Sequence, residues 1–248
     1  MAASGVQEKG VADEAVRAEL QRSILRRLQA LRRLADPCVQ GDAAGGLPVL
    51  RHWQAARLEA SFADVLANPS MRAAGRFFLS DLYGERDFSG RDRDLGRVLP
   101  LMLPLLPDSL LLAARDALGL HVLSQALDLR MARRMQARRW RRLDTDRYGE
   151  VYRACGLPRL RARQITLIVA VGHALDAAVH RHGVHRILKA ARLPARMAGF
   201  AELQGFLERG FDAFGQLGGA GAFLSRIERG EREVSRRLFA ADPAPFDR

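Results

Sequence analysis

The chain has 248 residues, 48% of them hydrophobic and 27% charged, with a formal net charge of +12. This is the composition of an ordinary globular protein, not of a disordered or fibrous chain, and two cysteines, Cys38 and Cys155, are too few for a disulfide framework. The positive surplus suggests an anionic partner. Because Lys9 and Lys189 are the only lysines, part of the arginine excess reads as a bias toward GC-rich codons.

At the N-terminus, residues 1–10 show no basic segment followed by an apolar one, so no secretory signal is expected there and residues 1–10 read as a disordered tail. Residues 11–36 read as a helix with Leu20, Ile24, Leu28, Leu31 and Leu34 on one stripe, ending before Pro37. Residues 37–48, rich in Gly, Asp and Pro, read as a loop that sets this helix apart from a core spanning 49–240.

Within that core, helices are expected over about 49–67 and, after "NPS", up to Gly84. The segment "RVLPLMLPLLP" must be kinked or broken by its prolines. Asp108 should start a helix that Gly119 stops, with another running from Val122 to Arg142. Further helices are expected from Asp144 to Cys155, from Pro158 to about His182 and near Val184–Ala191, followed by a helical hairpin around "LGGAG" and an unpacked tail over 241–248. Strand signals are nearly absent. The expectation is an all-α, single-domain helical bundle of about ten helices without a sheet. The longest apolar run, Ile165–Val179, is interrupted by His173 and Asp176 and is shorter than the roughly 20 residues that span a bilayer. No membrane span is expected, and a cytoplasmic location follows as the default.

Three clusters carry candidate chemistry. In "RFFLSDLYG", Asp81 falls at the edge of an apolar arc centred on Phe78 and Leu82. A buried carboxylate needs a partner, and the nearby arginines of "RDRDLGR" suggest an interhelix clamp of Asp81 with Arg91, Arg93 and Arg97. The stretches "FFLSDLYGERDFSGRDRDLGRVLP" and "LGGAGAFLSRIERGERE" resemble an uncharacterised bacterial family named for its FFLEELY motif, with Ser80 and Asp81 where that name has two glutamates. The resemblance implies no activity, substrate or cofactor.

In "VGHALDAAVHRHGVHR", His173, Asp176 and His180 share one helix face, read as pointing inward. Imidazole and carboxylate on such a face suit iron or haem in a helical bundle. About 10 Å of axial rise separates the two histidines, so ligands from a second helix would be needed. Glu150, Glu202, Glu208 and Asp212 are the candidates. The competing structural reading pairs these groups with each other or with arginine. No nucleophile motif or phosphate-binding loop accompanies them.

From Arg130 to Arg163, twelve arginines face three acids, a surplus of nine positive charges. Arg133, Arg134, Arg138, Arg139, Trp140 and Arg142 are the candidate residues for an acidic protein or a nucleic acid. Met131 and Met135 fall among these arginines, so no clean apolar face is expected. The leading functional expectation is a non-enzymatic interaction or regulatory module with a basic surface and no cofactor. The alternatives are a metal- or haem-binding oxidoreductase using His173, Asp176 and His180, and a nucleic-acid-binding protein.

Overall fold

The computed structural model describes the backbone of residues 2–82, 89–181, 184–190 and 192–247, with the side chains of all these except 2–12, 82, 89, 91, 184, 185, 187 and 194. Among the described residues there are 13 α-helices and no strand, an all-α single-domain bundle. They are α1 (Ala2–Ala35), α2 (Pro37–Gln40), α3 (Leu47–Ser61), α4 (Ala63–Ala67), α5 (Arg72–Phe77), α6 (Ser89–Met102), α7 (Asp108–Ala137), α8 (Thr145–Cys155), α9 (Pro158–Val179), α10 (Val184–Ala190), α11 (Arg192–Met197), α12 (Ala201–Gly215) and α13 (Gly221–Phe239). A 3-10 turn, Gly41–Gly45, follows α2, and a π-helical turn, Phe78–Leu82, follows α5.

α7 is the central column. It packs against α1, α3, α8 and α9, while α9 in turn meets α12 and α13. Leu20, Ile24, Leu28 and Leu31 of α1 are buried with Leu99, Leu103, Leu111 and Leu118, which is the outcome that their helical spacing demands. A second core joins Phe77 and Phe78 to Phe214, Phe223, Leu224 and Ile227, and a third gathers Leu50, Met131, Met135, Tyr148, Val151 and Tyr152. α7 and α9 are each long and apolar enough by length and composition to cross a membrane. In the fold they pack against each other.

Several boundaries differ from expectation. α1 starts at Ala2, not near residue 11; no proline interrupts its first residues, and helix propagates one bond per residue once nucleated. Residues 37–45 form short helical turns because Asp36 caps α2 by accepting from the Cys38 N–H at 2.8 Å, with Pro37 at the first helical position. The two helices expected around Gly119 are the single helix α7. Gly119 serves tertiary packing, since a Cβ there would lie 3.2 Å from Arg27 Nε of α1. The C-terminal tail is packed: Phe246 lies against Trp53 and Tyr148, and Arg237 donates to the Ala244 carbonyl at 3.2 Å.

Candidate functional site

α7 ends in a knuckle. Arg138 is the C-cap, and Arg139 adopts a left-handed φ of 58°. The Arg139 N–H donates to Gln136 O at 2.8 Å and the Trp140 N–H to Met135 O at 3.0 Å. This is the bonding of a Schellman cap, whose left-handed position glycine usually fills. The next helix begins when Asp144 accepts from the Arg147 N–H at 2.8 Å, and Gly156, at φ 61°, ends it. Five residues between two firm caps thus hold Arg139, Arg141 and Arg142 at the surface.

The arginines here divide into tied and untied. Arg133 donates to Val39 O at 2.6 Å, Arg138 pairs with Glu150 at 2.7 Å, and Arg153 donates to Leu238 O at 3.2 Å. Arg138 and Arg147 stack over the Trp140 ring at 5.1 and 5.6 Å. Arg134, Arg139, Arg141 and Arg142 are exposed, and their guanidinium groups have no hydrogen bond or ion pair with the described residues. Met131 and Met135, expected among the arginines, are fully buried against α8. The wheel of an isolated helix could not show that α8 covers that flank.

The histidine face departs from expectation. His173 and His180 are exposed and Asp176 is half-buried. His180 Nδ1 lies 2.8 Å from the Asp176 carbonyl and 3.5 Å from its carboxylate, the local pairing open to a histidine at a helix end. Of the proposed second-helix ligands, Glu150 pairs with Arg138, and Glu208 pairs with Arg192 at 2.7 Å. The Arg192 guanidinium, with Gln204, holds the Glu208 carboxyl down at about 2. Among the described residues no three His, Cys, Asp or Glu side chains are grouped to hold a metal ion.

Asp81 is buried in the π-helical turn. Its Oδ1 accepts from Arg209 Nε at 2.8 Å and Nη2 at 2.6 Å, and its Oδ2 accepts from Ser80 Oγ at 2.9 Å. This arginine comes from α12, 128 residues away in sequence. Arg97 lies over the Phe200 ring at 5.9 Å, Arg93 is exposed, and the Arg91 side chain lies outside the described residues.

A polar cleft inside the bundle was not anticipated from sequence. α3 contributes Arg51, Gln54 and Arg57; α7 contributes His121, Ser124, Gln125 and Asp128; α8 contributes Tyr148 and Tyr152. Arg161 and Gln164 come from α9, and Glu231 and Ser235 from α13. Arg57 pairs with Glu231, Gln54 donates to Asp128 at 3.2 Å, Gln164 to Ser124 at 2.8 Å, and Tyr152 is 2.9 Å from the Ser235 hydroxyl. Burial pushes the Asp128 carboxyl up, against the opposing pull of Arg161 and Arg51, and pushes the Tyr152 phenol up to about 12. Burial works against the Arg57 charge too, but Glu231 and Tyr148 together more than offset it and hold the guanidinium above its ordinary value. One sequence signal existed: Arg161 falls on the same helical stripe as Ile165, Ile168 and Gly172.

Residues 40–245 match the family described as Domain of unknown function (DUF8198). The chain belongs to this family. The DUF8198 match takes in every cleft residue from Arg51 to Leu238 and the whole arginine knuckle, while α1 precedes it. No curated protein and no solved structure matches the chain.

Proposed function

We propose that this DUF8198 protein is a non-enzymatic interaction module that presents the knuckle between α7 and α8 to an acidic protein surface. The observation that carries this reading is the set of four exposed arginines, Arg134, Arg139, Arg141 and Arg142, whose charges are not used within the described fold. Charge spread only by codon bias has no reason to gather untied at one turn. The left-handed conformation costs a residue with a Cβ roughly 1–2 kcal/mol, and here an arginine holds the place suited to glycine. Such a cost is understandable where the side chain serves binding.

An acidic protein is favoured over a nucleic acid by the state of Trp140. Its ring is occupied by the guanidinium groups of Arg138 and Arg147, whereas single-stranded nucleic acid is held on aromatic faces left open for bases.

Fluorescence anisotropy with labelled polyglutamate tests the proposal. Replacing Arg134, Arg139, Arg141 and Arg142 together by Glu is expected to weaken binding about a hundredfold, in line with the cost of opposing like charges, while helix content stays unchanged. Binding that survives the four substitutions refutes the proposal. Tighter binding of single-stranded DNA than of polyglutamate at equal ionic strength favours the nucleic-acid reading instead.

A further inference from the structure

Arg161 is a cation placed inside the bundle without an anion on it. The residue is 6% exposed, and its guanidinium donates to Gln164 Oε1 at 3.2 Å and Met131 Sδ at 2.9 Å while lying over the Tyr152 ring at 4.5 Å. A thioether is a weak acceptor. No carboxylate among the described residues pairs with Arg161, although Asp128 is near enough to feel its charge. Asp128 is engaged elsewhere, accepting from Gln54 at 3.2 Å and lying 4.0 Å from Arg51 Nε. A buried charge in this position is costly unless something compensates it.

A second donor meets the same cleft. The Arg57 side chain is 10% exposed; its terminal nitrogens go to Glu231, and its buried Nε–H has no acceptor. Arg51, Arg57 and Arg161 against Asp128 and Glu231 leave one positive charge in surplus among the groups lining the cleft. One stretch of the wall is apolar, formed by Leu58, Ile165, Ile168 and Leu238. The cleft volume is about 80 Å³. That is about half the roughly 150 Å³ that accommodates the six heavy atoms of benzene, so an occupant smaller than that, of about three to five heavy atoms, fits.

We propose that this cleft is a binding site for a small organic monocarboxylate, whose carboxylate is received by Arg161 and the Nε–H of Arg57 and whose carbon end rests on the Ile165, Ile168 and Leu238 wall. A planar guanidinium matches a carboxylate edge, and one negative charge balances the surplus. Phosphate suits the cleft less well. Its second charge exceeds the surplus. This site is separate from the knuckle, since Arg161 and Arg57 are buried and the knuckle arginines are exposed.

Isothermal titration of the full chain with formate, acetate, propionate and phosphate, at constant ionic strength, tests the proposal. At least one of the three carboxylates is expected to bind with one-to-one stoichiometry and to raise the melting temperature. Arg161→Met removes the charge and keeps much of the bulk, so it is expected to fold and to lose measurable carboxylate binding. Should that variant fail to fold, Arg161→Lys, which keeps the charge but lacks the planar fork, is expected to bind about tenfold more weakly. Carboxylate binding unchanged in the folded Arg161 variant overturns the proposal, as does the absence of binding by all three acids at millimolar concentration. Binding of phosphate in preference to every carboxylate overturns the assignment of ligand class.

Discussion

Asp81 and Asp128 are both carboxylates drawn into the protein, and they differ in what compensates them. Asp81 has two charge-assisted bonds from Arg209, which is itself 48% exposed. Removing the arginine takes both of these bonds from a buried carboxylate, whereas removing the carboxylate frees a cation that water can reach. Arg209→Ala is therefore expected to cost about 3 kcal/mol in urea denaturation at neutral pH, and more than Asp81→Ala. Equal costs for the two would contradict this assignment of the buried partner. Asp128 works in the other direction, because burial raises its pKa. Between the ordinary carboxylate value near 4 and the raised one, the folded protein keeps a proton that the unfolded chain has released. Stability attributable to Asp128 accordingly falls as pH rises through that window. Asp128→Asn should flatten the pH dependence there, as read by melting temperature from pH 4 upward. A steeper loss of stability in the variant would contradict the sign.

What could be read at the residue scale was limited by sequence distance. The need of Asp81 for a cation was legible from its place in an apolar arc, and the arginine supplied from 128 residues away was not. Likewise Arg161 lies within the arginine-rich stretch from Arg130 to Arg163, although Ile165 and Ile168 share its stripe. A helix wheel gives relative direction only; which direction faces the core depends on the neighbours.

At the scale of elements, strong caps decided which boundaries were legible. α8 and α9 were expected nearly as observed because Asp144, Gly156 and Pro158 each act within one turn of their own position. Gly119 misled because glycine has two uses: it ends helices, and it lets other elements approach closely. Gly172 belongs to the second kind. A Cβ there would collide with the buried Leu224 side chain of α13, so this glycine sets the approach of α13 to α9. Gly172→Ala is expected to destabilise by about 1–3 kcal/mol through overpacking, measured by thermal denaturation, and Leu224→Val in the same chain should recover part of the loss. An unchanged melting temperature in the single variant would show that the contact yields freely. Gly210 plays a similar part against Phe77, 2.8 Å from its would-be Cβ, so the close approach permitted by that glycine of α12 is made within the chain.

At the scale of the whole molecule, the net charge of +12 is unevenly used. Many arginines are consumed by structure: Arg209 at Asp81, Arg226 at Asp64 with 2.8 Å, Arg57 at Glu231 and Arg17 at Asp108. The all-α class and single-bundle architecture were legible because helical periodicity runs through nearly the whole chain. The separation of structural from available charge was not, because ion pairs form across helices far apart in sequence. The arginines left over at the knuckle are the basis of the proposed interaction.

The most direct test of that proposal is the salt dependence of polyglutamate binding by the unaltered chain and by the variant with Arg134, Arg139, Arg141 and Arg142 replaced by Glu. The account predicts an affinity that falls steeply between low and physiological salt for the unaltered chain, as screening shortens the reach of exposed charges, and weak binding by the variant at every salt concentration. Equal affinities and equal salt slopes for the two proteins would contradict it.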